Sequence, residues 1–159
     1  MRRMIGTALV AGAIALSPAM APAADGVSER TAKGSFAEAR QALVDAIVNR
    51  GYKIDYEAFV GDMLTRTGED VGSARPIYKD AQFVQFCSAV LSREAMEADA
   101  SNLAYCPYVL FIYERADTPD EVRVGFRRLP AVGDEASKAA LEKVNAVLDD
   151  IIEEAAAGW

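Results

Sequence analysis

The sequence predicts an α+β domain of two layers, a mainly antiparallel sheet with helices packed on one face. Three observations carry that expectation. A capping box opens an amphipathic run at Ser35, two strand-like runs flank a turn at residues 117–120, and the segment from Asp134 onward repeats apolar side chains at helical spacing. Because helical and extended signals alternate along the chain, they are expected to pack in one domain rather than in separate blocks.

Residues 27–33 are expected as a short first strand. Ser35 and Glu38 have the S-x-x-E spacing in which each side chain satisfies the other's backbone N–H, and Phe36, Ala39, Leu43 and Ile47 then share one helix face. Gly51 is placed as the C′ residue of that helix, where a left-handed conformation suits glycine. Residues 52–60 alternate, with Ile54, Tyr56, Ala58 and Val60 on one side and Lys53, Asp55 and Glu57 on the other, which is the pattern of a half-buried strand. A helical turn over 62–66 follows, and Gly68, Gly72, Ser73 and Pro76 mark 68–76 as a loop.

Residues 83–87 read as a strand, and 92–99 as a short helix with Ser92 at its N-cap. Residues 108–114 are apolar and aromatic throughout. In 122–129, Val122, Val124 and Phe126 alternate with Arg123 and Arg127, and Asp117-Thr118-Pro119-Asp120 supplies turn chemistry between the two runs, so they are expected as a hairpin. The final helix spans 134–156, with Leu141, Val144, Leu148, Ile151 and Ala155 on one face.

Residues 1–23 stand apart from this domain, which is single and spans 27–156. Arg2 and Arg3 make a positive n-region, residues 5–16 a short apolar core, and Ala21-Pro22-Ala23 a small-residue cleavage site. The apolar run is shorter than the roughly 20 residues that span a bilayer. A secretory signal peptide cleaved before Ala24 is therefore expected, with a periplasmic location and no stable membrane insertion of the mature chain.

The formal net charge is −7, and loss of Arg2 and Arg3 with the leader makes it more negative. Such a chain repels phosphate backbones and anionic lipid head groups, so no nucleic-acid or membrane partner is expected. The sequence has no histidine, which excludes histidine-based triads, Cys-His nucleophile pairs and imidazole metal sites. No metal, no cofactor and no catalytic residue is assigned on these grounds.

The two cysteines, Cys87 and Cys106, are read as a disulfide or redox pair. In an oxidising compartment two lone cysteines tend to pair, and a bridge closing a loop of about 20 residues contributes roughly 3 kcal/mol in the chain-entropy model. There is no C-x-x-C spacing and no histidine to activate a thiol, which weighs against redox chemistry.

At Phe86-Cys87, at the run Cys106-Pro107-Tyr108-Val109-Leu110-Phe111-Ile112-Tyr113-Glu114 and at the partner run Glu121-Val122-Arg123-Val124, the sequence resembles the domain of unknown function family 302. The likeness extends to Gly51-Tyr52 and the segment 60–67 and so covers nearly all of the mature chain. One departure is the order Cys106-Pro107, with Tyr108 where the family often has cysteine. The resemblance implies a compact α+β fold, often dimeric, and supplies no catalytic residues.

Two further groups are candidates for binding. Phe83, Phe86, Tyr108 and Tyr113 are a possible ligand pocket, with core packing as the competing account. Arg123, Arg127 and Arg128 gather positive charge on an acidic chain and are a possible anion or partner surface. Asp149, Asp150, Glu153 and Glu154 are read as the solvated side of the last helix. The function expected is non-enzymatic binding of a small ligand or a protein partner, as a homodimer. The alternative is a periplasmic thiol-disulfide or sulfur-handling protein using Cys87 and Cys106.

Overall fold

Extended and helical segments follow one another in the order β1 (Val27–Ala32), α1 (Phe36–Val48), β2 (Lys53–Phe59), α2 (Val60–Thr67), β3 (Tyr78–Cys87), α3 (Ala89–Ala98), a 3₁₀ segment (Ala100–Tyr105), β4 (Tyr108–Arg115), β5 (Val122–Arg127) and α4 (Glu135–Ala157). The structure is a computed structural model and describes residues 26–158. The expected signal peptide, residues 1–23, lies outside the described residues.

The five strands form one sheet in the order β1-β5-β4-β3-β2, and every neighbouring pair is antiparallel. Helices α1 and α4 cover one face. Leu43 and Ile47 of α1, and Leu148 and Ile151 of α4, meet Val84, Phe86, Leu110, Ile112, Val124 and Phe126 from the three central strands. Burial of each such side chain is worth about 1.5–3 kcal/mol, so this layer contact is the main source of stability. The expected two-layer α+β architecture is the one observed.

Helix α1 starts as its sequence dictates. The Ser35 hydroxyl accepts from the Glu38 N–H, and the Glu38 carboxylate accepts from the Ser35 N–H at 2.8 Å, so two otherwise orphaned donors are satisfied. Helix α4 is capped in the same manner by Asp134, whose carboxylate accepts from the Ser137 N–H at 2.8 Å. The hairpin β4–β5 is present, with Asp120 at φ 68° in its turn.

Several expected boundaries move. The C-cap of α1 is Asn49, so Gly51, at φ 79°, stands one position beyond C′. Strand β3 begins at Tyr78 rather than Phe83. Helix α3 is capped by Ser88, which accepts from the Leu91 N–H at 3.3 Å, and Ser92 sits inside it. The cap moves upstream because Ser88 directly follows the last strand residue and its extended backbone already suits an N-cap.

Strand β2 departs from strict alternation at a bulge between Ile54 and Tyr56. Ile54 pairs with Phe86 on the helix-covered side, whereas Tyr56 and Ala58 pair with Gln85 and Phe83 on the other. Glu57, expected outside, instead faces α1 and is ion-paired with Arg40. One extra residue in a strand reverses the face of all that follow. Val60, expected at the end of this strand, is the first residue of α2. Helix α2 packs against β3, where a side chain at Gly61 would run into the Ala81 backbone nitrogen at 2.8 Å.

Candidate functional site

Alternation along β3 and β4 sorts the aromatic side chains between the two faces of the sheet. Phe86 and Tyr108 point into the helix-covered layer, where they are buried and meet edge to face with centroids 5.8 Å apart. Phe83 and Tyr113 point to the opposite face, each opposite Phe111 or Ala81 in the register. The four expected pocket residues therefore do not line one pocket. Phe86 and Tyr108 are core, and the reason is parity: odd and even positions of an extended chain face opposite ways.

On the opposite face, α2 borders the aromatic surface through Val60. Tyr56, Phe83, Phe111 and Tyr113 form a row in which Phe83 stands opposite Phe111 in the register, with centroids 6.3 Å apart for Tyr56 and Phe83 and 6.0 Å for Phe111 and Tyr113. Tyr56 is 57% exposed. The Phe111 ring sits against Gly125 of β5, where a Cβ would stand 2.6 Å from its Cζ. Glycine in mid-strand thus admits the ring to the sheet surface.

Two adjoining grooves run along this row. One, of about 270 Å³, lies between Val60 of α2 and Phe83, Phe111 and Tyr113. The other, of about 580 Å³, continues past Tyr78 and Tyr113 to Arg75, Arg115 and Asp117. Tyr78 and Tyr113 meet edge to face at 5.6 Å where the two join. Arg115 grips Asp117 through two nitrogens at 2.6 and 2.7 Å, which lowers the Asp117 carboxyl from its ordinary value.

The β1–β5 side of the face is polar. Tyr113 donates its hydroxyl hydrogen to Glu29 at 2.9 Å, and Arg123 bridges Glu29 and Glu121. Burial, followed by the hydrogen bond and charge of Glu29, pushes the Tyr113 phenol up to about 12. It stays protonated at neutral pH and acts as a donor rather than a base.

Of the three expected cationic residues, Arg127 and Arg128 line one cleft at the sheet end and Arg123 stands apart from them. Arg123 is held by Glu29 and Glu121, and Arg128 by Asp149 at 2.6 Å and Glu142 at 3.2 Å. Asp149 also accepts from Ser28 at 2.6 Å, so this member of the acidic cluster ties α4 to β1. Arg127 forms no ion pair among the described residues, and it lines an open cleft of about 480 Å³ with Tyr105, Pro107 and Val109 at the sheet end. Among the described residues no group of three or more potential metal-ligating side chains clusters.

The antiparallel pairing of β3 with β4 sets the end of one beside the start of the other, and Cys87 Sγ lies 2.9 Å from Cys106 Sγ. Both are free thiols, Cys87 on an exposed residue and Cys106 on a half-buried one. Burial of the sulfur, contact with Cys106 and the charge of Asp55 push the Cys87 thiol up to about 12, against a hydrogen bond from the Tyr108 backbone. The Ser92 hydroxyl stands 3.7 Å from Cys106 Sγ and 3.3 Å from the Tyr108 hydroxyl. The sequence led to the expectation of a disulfide or redox pair here, and the two residues meet as thiols. Sequence reading missed Tyr56, Tyr78 and Gly125, although a glycine inside the alternation of β5 signals a close approach by a neighbour.

The family model described as "Domain of unknown function DUF302" matches residues 28–155. Among solved structures, the chain is similar to the crystal structure of uncharacterized conserved protein DUF302 from Bacillus stearothermophilus. That likeness has a TM-score of 0.68 at 12% identity and covers 83% of this chain and 99% of that one. It is a likeness of fold. No curated protein matches the chain.

Proposed function

The chain belongs to the DUF302 family, and from that premise we propose that it is an exported, non-enzymatic binding domain working as a homodimer, two copies meeting through their open sheet faces around a small ligand. The observation that carries this reading is the row Tyr56, Phe83, Phe111 and Tyr113 on the face that α1 and α4 leave uncovered. Contiguous apolar surface of this kind marks interaction sites, and aromatic side chains give large contact area for little lost entropy.

The rims of the face differ in sign. Arg75 and the Arg115–Asp117 pair stand at one end, a net positive rim, and Glu29 and Glu121 with Arg123 between them stand at the β1–β5 side, a net negative one. A two-fold axis sets a patch against itself, so rims of opposite sign make the face self-complementary despite a net charge of −7. Pairing through the β2 edge is the poorer route, because β2 is bulged and carries Lys53, Asp55 and Glu57. The grooves beside Tyr78 and Tyr113 are the space for the small ligand.

Sedimentation velocity and native mass spectrometry of the protein purified from its own cells test the reading. A dimer mass, retained ligand, and a shift to monomer in Tyr56→Arg are expected. A monomer at all concentrations with no retained mass overturns it. A thiol-disulfide or sulfur-handling role is the second reading, and what favours it is the contact between the Cys87 and Cys106 thiols. A thiol pushed up to about 12 is a slow nucleophile at neutral pH, which weighs against turnover.

A further inference from the structure

Outside the binding face, the chain carries one pair of nucleophilic groups already in contact. Phe86 pairs with Tyr108 across β3 and β4, so Cys87 and Cys106 continue the two strands at the same end of the sheet. Their sulfurs are 2.9 Å apart, against about 2.05 Å in a disulfide, and a shift of less than about 1 Å joins them. Cys87 is on an exposed residue and Cys106, half-buried, is not enclosed, so a small reagent can reach either sulfur.

We infer that Cys87 and Cys106 are a modification site for low-molecular-weight disulfides, which convert the pair to an intramolecular bridge with Cys106 attacking first and Cys87 resolving. The Cys106 thiolate attacks one sulfur of the small disulfide, and the S–S bond of the reagent breaks, releasing one thiolate and leaving a mixed disulfide on Cys106. Cys87 then gives up its proton and attacks Cys106 Sγ, expelling the second small thiolate. The protein loses two electrons and two protons, and the reagent is reduced to two thiols.

The order follows from the surroundings of the two sulfurs. Burial and contact with the neighbouring sulfur raise the Cys87 thiol. The Ser92 hydroxyl at 3.7 Å can donate to the Cys106 thiolate. Cys87 becomes the better nucleophile only after Cys106 is capped, because the mixed disulfide removes the negative charge beside it.

The test uses the whole mature chain, reduced, and 2-hydroxyethyl disulfide, a neutral reagent that the acidic surface does not repel. Wild type is expected to end two hydrogens lighter, with a cross-linked Cys87–Cys106 peptide. Cys87→Ser is expected to stop as a mixed disulfide on Cys106, and Cys106→Ser to react at least about tenfold more slowly. Brief alkylation of wild type, followed by peptide mapping, reads the same order without a substitution and should label Cys106 first. Wild type that ends with two free thiols, or with a reagent adduct on each, overturns the bridge. First labelling of Cys87, or equal rates in the two variants, overturns the order of attack.

Discussion

Phe111 packs its ring on the bare backbone of Gly125, and the space a Cβ would need there is already taken by the ring, at 2.6 Å, and by the Ser28 carbonyl oxygen. Gly125→Ala must therefore displace either the aromatic row or strand β1. A loss of about 1–3 kcal/mol is expected from overpacking of this kind. An unchanged urea midpoint would mean that the ring is free to move aside and that the row is not a rigid surface.

Leu110 and Ile112 are fully buried beneath α1 and α4. Truncation of either to alanine should cost about 2–5 kcal/mol. Chemical unfolding of both variants measures this, and two midpoints equal to that of wild type would contradict the placement of β4 at the centre of the sheet.

Ser88 and Ser92 should behave differently on replacement by alanine. Ser88 caps α3, so Ser88→Ala is expected to cost about 1 kcal/mol. The Ser92 hydroxyl meets only side chains, those of Cys106 and Tyr108. Ser92→Ala should leave the helix intact by hydrogen exchange, and greater loss of amide protection there than in Ser88→Ala would restore Ser92 as the cap.

The buried Glu114 carboxylate accepts from Lys79 and from the Asp120 N–H, both at 2.8 Å, and these bonds hold it below its ordinary value. A carboxyl lowered on folding stabilises the protein above its unfolded pKa, near 4.5, and that contribution is lost as pH falls through the folded value. Asp80, raised by burial and by the charge of Glu114, acts in the opposite sense. The stability gap between wild type and Glu114→Gln should therefore shrink below about pH 4.5. A gap constant from pH 7 to pH 3 would show that the lysine contact does not act through charge.

Export is checked by intact mass. The chain recovered from outside the cytoplasm should begin at Ala24, and a mass that retains residues 1–23 would remove the periplasmic proposal.

How much could be read in advance depended on whether the signal was local. Ser35 with Glu38, the helical period from Asp134 to Ala155, and the Val122-Val124-Phe126 alternation were legible because caps and periodicities act over a few residues and need no partner. The contact of Cys87 with Cys106 was anticipated as a pairing, but it required an antiparallel β3–β4 register that spacing alone leaves open. The pocket of Phe83, Phe86, Tyr108 and Tyr113 failed because hydrophobicity says that a side chain is buried or half-buried and does not say against what.

By itself, then, the sequence determined the layers, the family, the N-cap of α1 and the inward stripe of β5, since each follows from short-range periodicity or from a single hydrogen-bonded turn. The tertiary structure alone decided which face each aromatic occupies, that Arg123 and Arg128 are spent on Glu29, Glu121, Glu142 and Asp149, and that Tyr56 stands in solvent. The physical reason is register. A bulge at one residue of β2 reverses every side chain after it, and ion pairs form between residues about 20 to 100 apart in sequence only once the sheet order has placed them side by side.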